Sequence, residues 1–461
     1  MTTSTTHSNS PMGDQNIGRL LLKFSIPAIV GTVVNALYHT VDRIFVGHGV
    51  GSIGIAATTV AFPIMTILMG ISMLIGIGAT SLISIRLGQE KHEEAEKVVG
   101  NAIVLLVLLP VLLTIMYLIF SDPILIFFGA SNEVLPYARD FVHIVMLGSA
   151  FGATSMGVNN FIRAEGNPRL AMLTQIIGAL INVVLNYIFI FKLGLGIKGS
   201  ALATISAQFV SALWVFSYYW TGRSIVKIRL KNMKLSMPIV FSIMAIGFAP
   251  FAMMLANCVQ QTILNKSLLF YGGDLALSAI GIIMSIAAMM FMPIVGLSQG
   301  AQPIIGFNYG AKLYSRVIET LKLAVIAGSC IALLGYAVIY TWPTQIVSLF
   351  SKDTFLIEIT TQAIRIYFAL FLVVGFQIIC SNYFQAVGKP IQSTILGLSR
   401  QVLLFIPMLL ILPNYWGING IWMSAPISDA LSVLLTATVI YIEIKNLANK
   451  QAKTVSFKQH V

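Results

Sequence analysis

The sequence predicts an all-α polytopic membrane protein, with twelve transmembrane helices in two pseudo-symmetric six-helix lobes. Three observations carry that expectation: a charge-poor apolar composition, twelve apolar segments of spanning length, and an internal repeat. Of 461 residues, 57% are hydrophobic and only 10% charged, and the mean hydropathy is +0.88. A soluble domain carries roughly 25% charged residues. The apolar runs are continuous over about 20 residues, as a membrane helix requires, whereas a barrel strand alternates over about ten.

The segments fall at about 18–46, 55–86, 97–120, 135–163, 169–191, 198–220, 238–265, 277–303, 320–341, 358–385, 394–412 and 420–444. The longer ones are expected to tilt, bend or protrude. Residues 1–16 are rich in Ser, Thr and Asn, too polar for the core of a cleavable signal, and read as a disordered cytoplasmic tail. Residues 17–220 read as the first lobe and 238–445 as the second. The basic stretch 221–237 reads as a cytoplasmic linker, and 446–461 as a cytoplasmic tail. Cys258, Cys330 and Cys380 lie in apolar segments and imply packed thiols rather than a disulfide framework.

Orientation follows from Lys and Arg. About twenty lie in loops and ends on one side, including Arg86, Arg169, Arg223, Arg229, Lys312 and Lys450. About five lie on the other: Arg139, Lys192, Lys198, Lys266 and Lys352. Positive charge accumulates in the cytoplasm, so both termini are expected there. The net charge of +12 is therefore a topology signal, not one for nucleic acid.

The halves repeat in register. Gly88 and Gly310, Gly166 and Gly388, and Pro168 and Pro390 are each 222 residues apart, Gly196 and Gly417 are 221 apart, and Pro27 and Pro250 are 223 apart. A near-constant offset across a whole half marks a duplicated unit. Six spans per unit give both halves the same orientation, as in parallel-repeat transporters, whose sites lie near the midplane.

No HExxH, GxSxG, P-loop or CxxC pattern occurs. Uphill work by this chain would draw on an ion gradient rather than on ATP bound to it. The chemistry-bearing residues are polar stripes on apolar helices. On the first, Asp42, His39, Tyr38, Asn35 and Gly31 share one face. A charge at membrane depth costs at least ~2.5 kcal/mol and marks a functional site by default. The bland alternative, neutralisation by Arg43, is weakened because adjacent helical residues point about 100° apart.

Segment five carries Gln175, Gly178, Asn182 and Asn186 on one face, and segment six carries Ser200, Thr204, Gln208 and Ser211. Segment four adds Thr154, Ser155, Asn159 and Asn160. With Asp42 these would form an oxygen-rich cavity suited to a hard cation or a proton. A single Asn or Thr on a membrane helix more often just bonds a neighbouring helix, for roughly 0.6 kcal/mol. In the second half, Asn257, Gln261 and Asn265, and Gln377, Ser381 and Gln385, form uncharged stripes suited to substrate contact. Arg400 and Asp429 are expected to pair with each other.

Together the two six-span repeats, Pro27…Asn35…Tyr38…Asp42, Arg163-AEGNP-Arg169 and Asn182…Gly199-SALA-Thr204 resemble the MATE family of multidrug and toxin extrusion transporters. The resemblance covers essentially the whole chain and is nearest to the bacterial multidrug-exporter-like branch. It implies a V-shaped pair of lobes that exports organic cations and drugs in exchange for H⁺ or Na⁺. It also implies a cation-coupling site, open to Na⁺, at Asp42, Asn182, Asn186 and Thr204. Asn186 departs from the branch, which usually carries Asp there, so Asp42 is the only acid in that set.

Substrate-binding positions expected from the stripes and the resemblance are Asn35, Tyr38, His39, Asn159, Gln175, Gln208, Gln261 and Gln377. The expected partners are small organic cations and membrane lipid, with no nucleic acid, no cofactor beyond the coupling ion, and a monomeric state. The expected location is the bacterial cytoplasmic (inner) membrane. A flippase for a lipid-linked oligosaccharide or peptidoglycan precursor is the alternative. It would need several cations at membrane depth, where only Arg43, Arg365 and Arg400 lie. A membrane enzyme is the third reading, but His39 and His143 sit in no recognisable motif.

Overall fold

The computed structural model describes residues 11–350 and 353–459, and every regular element among them is helical. In chain order the helices are α1 (Pro11–Asp14), α2 (Ile17–Val50), α3 (Ser52–Gly88), α4 (His92–Ile119), α5 (Ser121–Phe127), α6 (Leu135–Leu147), α7 (Ser149–Ala164), α8 (Pro168–Asn186) and α9 (Gly196–Trp220). They continue as α10 (Met237–Gly310, broken at Gly273), α11 (Tyr314–Thr341), α12 (Pro343–Ser348), α13 (Thr354–Tyr367), α14 (Phe371–Ala386), α15 (Pro390–Leu398), α16 (Ile406–Ile411) and α17 (Pro413–Gln459, broken at Gly417). Ten stretches are long and apolar enough to span, and two bent pairs, α6 with α7 and α13 with α14, each turn by 51° and bring the described total to twelve.

The repeat is written into the backbone. Glu90 and Lys312, 222 residues apart, are the two non-glycine residues with positive φ among those described, at 61° and 58°. Gly51 and Gly273 share that sign at the same offset, and Gly196 and Gly417 at 221. A left-handed residue breaks a helix where the chain must turn, and outside glycine it is uncommon. Finding it twice at matched positions means each half is punctuated by one set of turns.

The chain forms two compact units, Val30–Phe251, and Met1–Ile29 with Ala252–Val461. The first has a core of Val60, Ile64, Tyr117, Leu125, Phe141 and Val145 among others. The core of the second includes Leu264, Ile283, Phe368, Phe371, Phe405 and Trp422.

Residues 1–10 lie outside the described residues, but the end of the polar leader departs from the disorder expected of it. In α1, Met12 is buried. Arg316 donates from Nη2 to the carbonyls of Met12 (3.2 Å) and Gln15 (2.7 Å), and from Nε to Asn308 Oδ1 (3.0 Å). Polar composition misses this because one guanidinium, acting from about 300 residues away, satisfies the backbone. The tail at the other end continues α17 as helix to Gln459.

The basic linker is likewise held in place. Glu96 on α4 is buried; it pairs with Arg229 Nε at 3.1 Å and accepts from Asn232 Nδ2 and the Lys227 amide. Asn101, further along the same helix, accepts from the Ser236 amide at 2.7 Å and donates to the carbonyl of Asn232. At the α7–α8 turn, buried Glu165 accepts at Oε2 from Ser224 Oγ (2.6 Å), the Ile225 amide (2.9 Å) and Tyr218 Oη (3.1 Å). Burial pushes the Glu165 carboxyl above its ordinary value despite those donors.

Candidate functional site

Within the unit Val30–Phe251, α2, α8 and α9 bring six of the expected polar residues together. The Asn186 amide Nδ2 donates to Asp42 Oδ1 at 2.8 Å and to Asn182 Oδ1 at 2.7 Å. Asn182 Nδ2 lies 3.5 Å from Thr204 Oγ1. Ser200 Oγ donates to the same Asp42 oxygen at 3.2 Å. Tyr38, one turn before Asp42, hydrogen-bonds Thr204. Asp42 itself is half-buried, whereas Asn186 is 0% and Asn182 1% exposed.

Local backbone explains the convergence. Asn182 and Asn186 are one turn apart and so share a face. Immediately after Asn186 the chain widens into a π-helical turn, Tyr187–Lys192. At Gly199, a Cβ would lie only 3.0 Å from the Phe189 backbone, so glycine lets the start of α9 close against that turn. Ser200 then faces Asp42, and Thr204 faces Asn182. Widened turns of this kind are frequent at functional sites.

The oxygens of Asp42, Asn182, Ser200 and Thr204, with the buried Oδ1 of Asn186, which has no partner among the described residues, form a hard-donor set. No cluster of three or more His, Cys, Asp or Glu occurs among the described residues, so the set suits a proton or an alkali cation rather than a transition metal. The Asn186 amide points a donor, not an oxygen, at the carboxylate. Asp42 is thus the one group of the set that can change charge.

The other expected positions divide. Asn35 is half-buried on α2, and the side chain of His39 lies outside the described residues. Asn159 is buried, with its Oδ1 unpartnered. Gln208 lies over Gly152, where a Cβ would come within 2.7 Å of Oε1. Gln175 stands apart from the Asp42 group: its amide donates to the Gly31 carbonyl (2.9 Å) and accepts from Arg163 Nη2 (3.1 Å), occupying the space a side chain at Gly31 would take. Gln261 and Gln377 belong to the other unit, bonded to Asn265 Oδ1 (2.9 Å) and to the Leu396 carbonyl (3.4 Å).

The second unit repeats the scaffold without the polar set. At offsets of 221–222, Asp42 corresponds to Leu264, Asn182 to Leu404, Asn186 to Met408, Ser200 to Ile421 and Thr204 to Ala425. Leu264, Ile421 and Ala425 are core residues there. The charged pair of that unit is Arg400 Nε to Asp429 Oδ1 at 2.6 Å, as the sequence suggests, with the guanidinium 5.2 Å from the Phe291 ring centre. Arg400 is therefore committed within the protein and is not a spare ligand for a pyrophosphate.

The family model described as MatE matches residues 27–188 and 249–411, once in each half. Over 424 residues the chain is 26% identical to the multidrug export protein MepA of Staphylococcus aureus (strain NCTC 8325 / PS 47), spanning 92% of this chain and 93% of that protein. The solved structure of the MATE multidrug transporter DinF-BH matches with a TM-score of 0.87 at 36% identity, over 93% of this chain and 96% of that one. A MATE in complex with MaL6 matches with a TM-score of 0.90 at 24% identity, over 95% and 99%, a likeness of fold.

Proposed function

Since the chain belongs to the MatE family, a family of membrane transporters and not enzymes, we propose that it is a secondary active antiporter exporting organic cations and drugs in exchange for H⁺ or Na⁺. The observation that carries this reading is the carboxylate of Asp42 held by Asn186 and Ser200 inside the α2–α8–α9 group. Ionised, Asp42 attracts a cationic substrate. Protonated, or neutralised by Na⁺, it releases that substrate, and the two occupancies exclude one another. Alternating access of the two lobes then turns this competition into exchange. The single acid and the donor aimed at it favour a proton, because an Na⁺ ligand at Asn186 would have to present its oxygen instead.

The relatives and the Lys/Arg asymmetry support a multi-pass location in the bacterial cytoplasmic membrane with both termini inside. The test is ethidium efflux from vesicles with Na⁺ and pH gradients imposed separately. Asp42→Asn abolishes gradient-driven efflux while membrane insertion is unchanged. Efflux at the wild-type rate in that variant would end the proposal.

A further inference from the structure

The second unit carries an open apolar groove that the transport site does not use. Its volume is about 550 Å³, and its lining includes Tyr340, Arg365, Leu370, Met423, Ile427 and Ala430. That is in the range of roughly 300–1,000 Å³ typical of small-ligand sites. The walls come from the ends of α11 and α13, the bend before α14, and the middle of α17. Leu334 and Val338 on α11, and Leu431 and Leu434 on α17, are exposed aliphatic side chains on the same helices. Exposed aliphatic rows on a spanning helix face hydrocarbon, so the groove opens toward acyl chains.

One end of the groove is charged. Arg365 is exposed, and no ion pair among the described residues includes it. Tyr340 Oη donates to the Arg365 carbonyl at 2.8 Å, and the Tyr340 ring stacks on Tyr336 at 4.3 Å. Trp342, two residues on, is exposed at the end of the same helix. Tyr and Trp gather at the level of lipid headgroups, so Arg365, expected at membrane depth from the sequence, stands instead at phosphate depth above an apolar trough.

The other half carries different side chains at the equivalent positions. At the repeat offset Ala430 replaces Phe209, whose ring meets Phe151 at 5.0 Å, and Arg365 replaces His143, packed against buried Tyr117 with ring centres 5.5 Å apart. A small residue and an exposed cation have thus been placed together in one half only.

We propose that this groove is a specific site for an anionic phospholipid of the surrounding bilayer, with its phosphate on Arg365 and one acyl chain along Leu370, Met423 and Ile427. A guanidinium matches a phosphate in a bidentate fork. The test is thermal unfolding of the delipidated, detergent-solubilised full chain with added phosphatidylglycerol, phosphatidylcholine or glycerol phosphate. Phosphatidylglycerol raises the unfolding temperature, and the other two do not, because one lacks net charge and one lacks the chain. Arg365→Gln loses the shift. Ala430→Phe, which puts a ring into the trough, also loses it. Equal stabilisation by phosphatidylcholine, a shift reproduced by glycerol phosphate, or a full shift retained in Arg365→Gln would each overturn the site.

Discussion

The Asn186 amide spends both hydrogens on acceptors, one on Asp42 at 2.8 Å and one on Asn182 at 2.7 Å. A hydrogen bond to a charged group contributes about 1.5–3 kcal/mol. Asn186→Leu removes that support and is expected to cut gradient-driven export roughly tenfold or more, at about 1.4 kcal/mol per decade. Asn186→Asp instead sets a second carboxylate against Asp42, an arrangement that draws in a cation. Efflux in that variant gains Na⁺ dependence, read as the ratio of rates with and without an Na⁺ gradient. An unchanged ratio would count against the shared geometry.

Glu96 ties the linker to α4 through Arg229, Asn232 and the Lys227 amide. Glu96→Ala leaves those donors without their acceptor and costs about 1–3 kcal/mol. Trypsin then cleaves between Arg223 and Lys234 faster than in wild type. Equal cleavage rates would show that the carboxylate does not hold the segment.

Arg400 and Asp429 form a largely buried pair. Breaking such a pair from one side costs about 3–5 kcal/mol, whereas replacing both partners with apolar residues is often neutral. Arg400→Leu therefore lowers the unfolding temperature markedly, and Arg400→Met combined with Asp429→Leu restores most of it. Failure of the double variant to recover would mean that Arg400 matters chiefly through Phe291.

The stripes on α2, α8 and α9 were legible because a helix returns to one face every three or four residues, and Asp42, Asn182, Asn186 and Thr204 lie on those faces. Ser200 belongs to a legible stripe, but its contact with Asp42 depends on how closely Gly199 lets α9 approach the π turn, and periodicity carries no such distance. Gln175 shares a face with Asn182 yet bonds Gly31 and Arg163, because the hole at Gly31 exists only once two helices are packed. Glu96, Glu165 and Arg316 act across 60 to about 300 residues from segments that look like solvated ends. Their partners emerge only from the fold.

Glu165 sets a pH dependence. Its folded-state proton affinity is raised by burial above an unfolded value of about 4.3. Protonation therefore contributes stability that is fully present below that value and is lost as pH rises through the raised folded one. Relative to Glu165→Gln, wild type gains stability as pH falls through the raised folded value toward the unfolded one, measured as the difference in unfolding temperature between the two proteins. A difference moving the opposite way would contradict the burial effect.

Leu264 standing where Asp42 would recur has a bearing on energetics beyond packing. Duplication doubled the scaffold but left one carboxylate, that of Asp42, at the α2–α8–α9 group. On the antiport reading, that group exchanges one counter-charge per turnover. Expelling a monovalent drug would then be electroneutral, drawing on the chemical gradient alone and indifferent to membrane voltage.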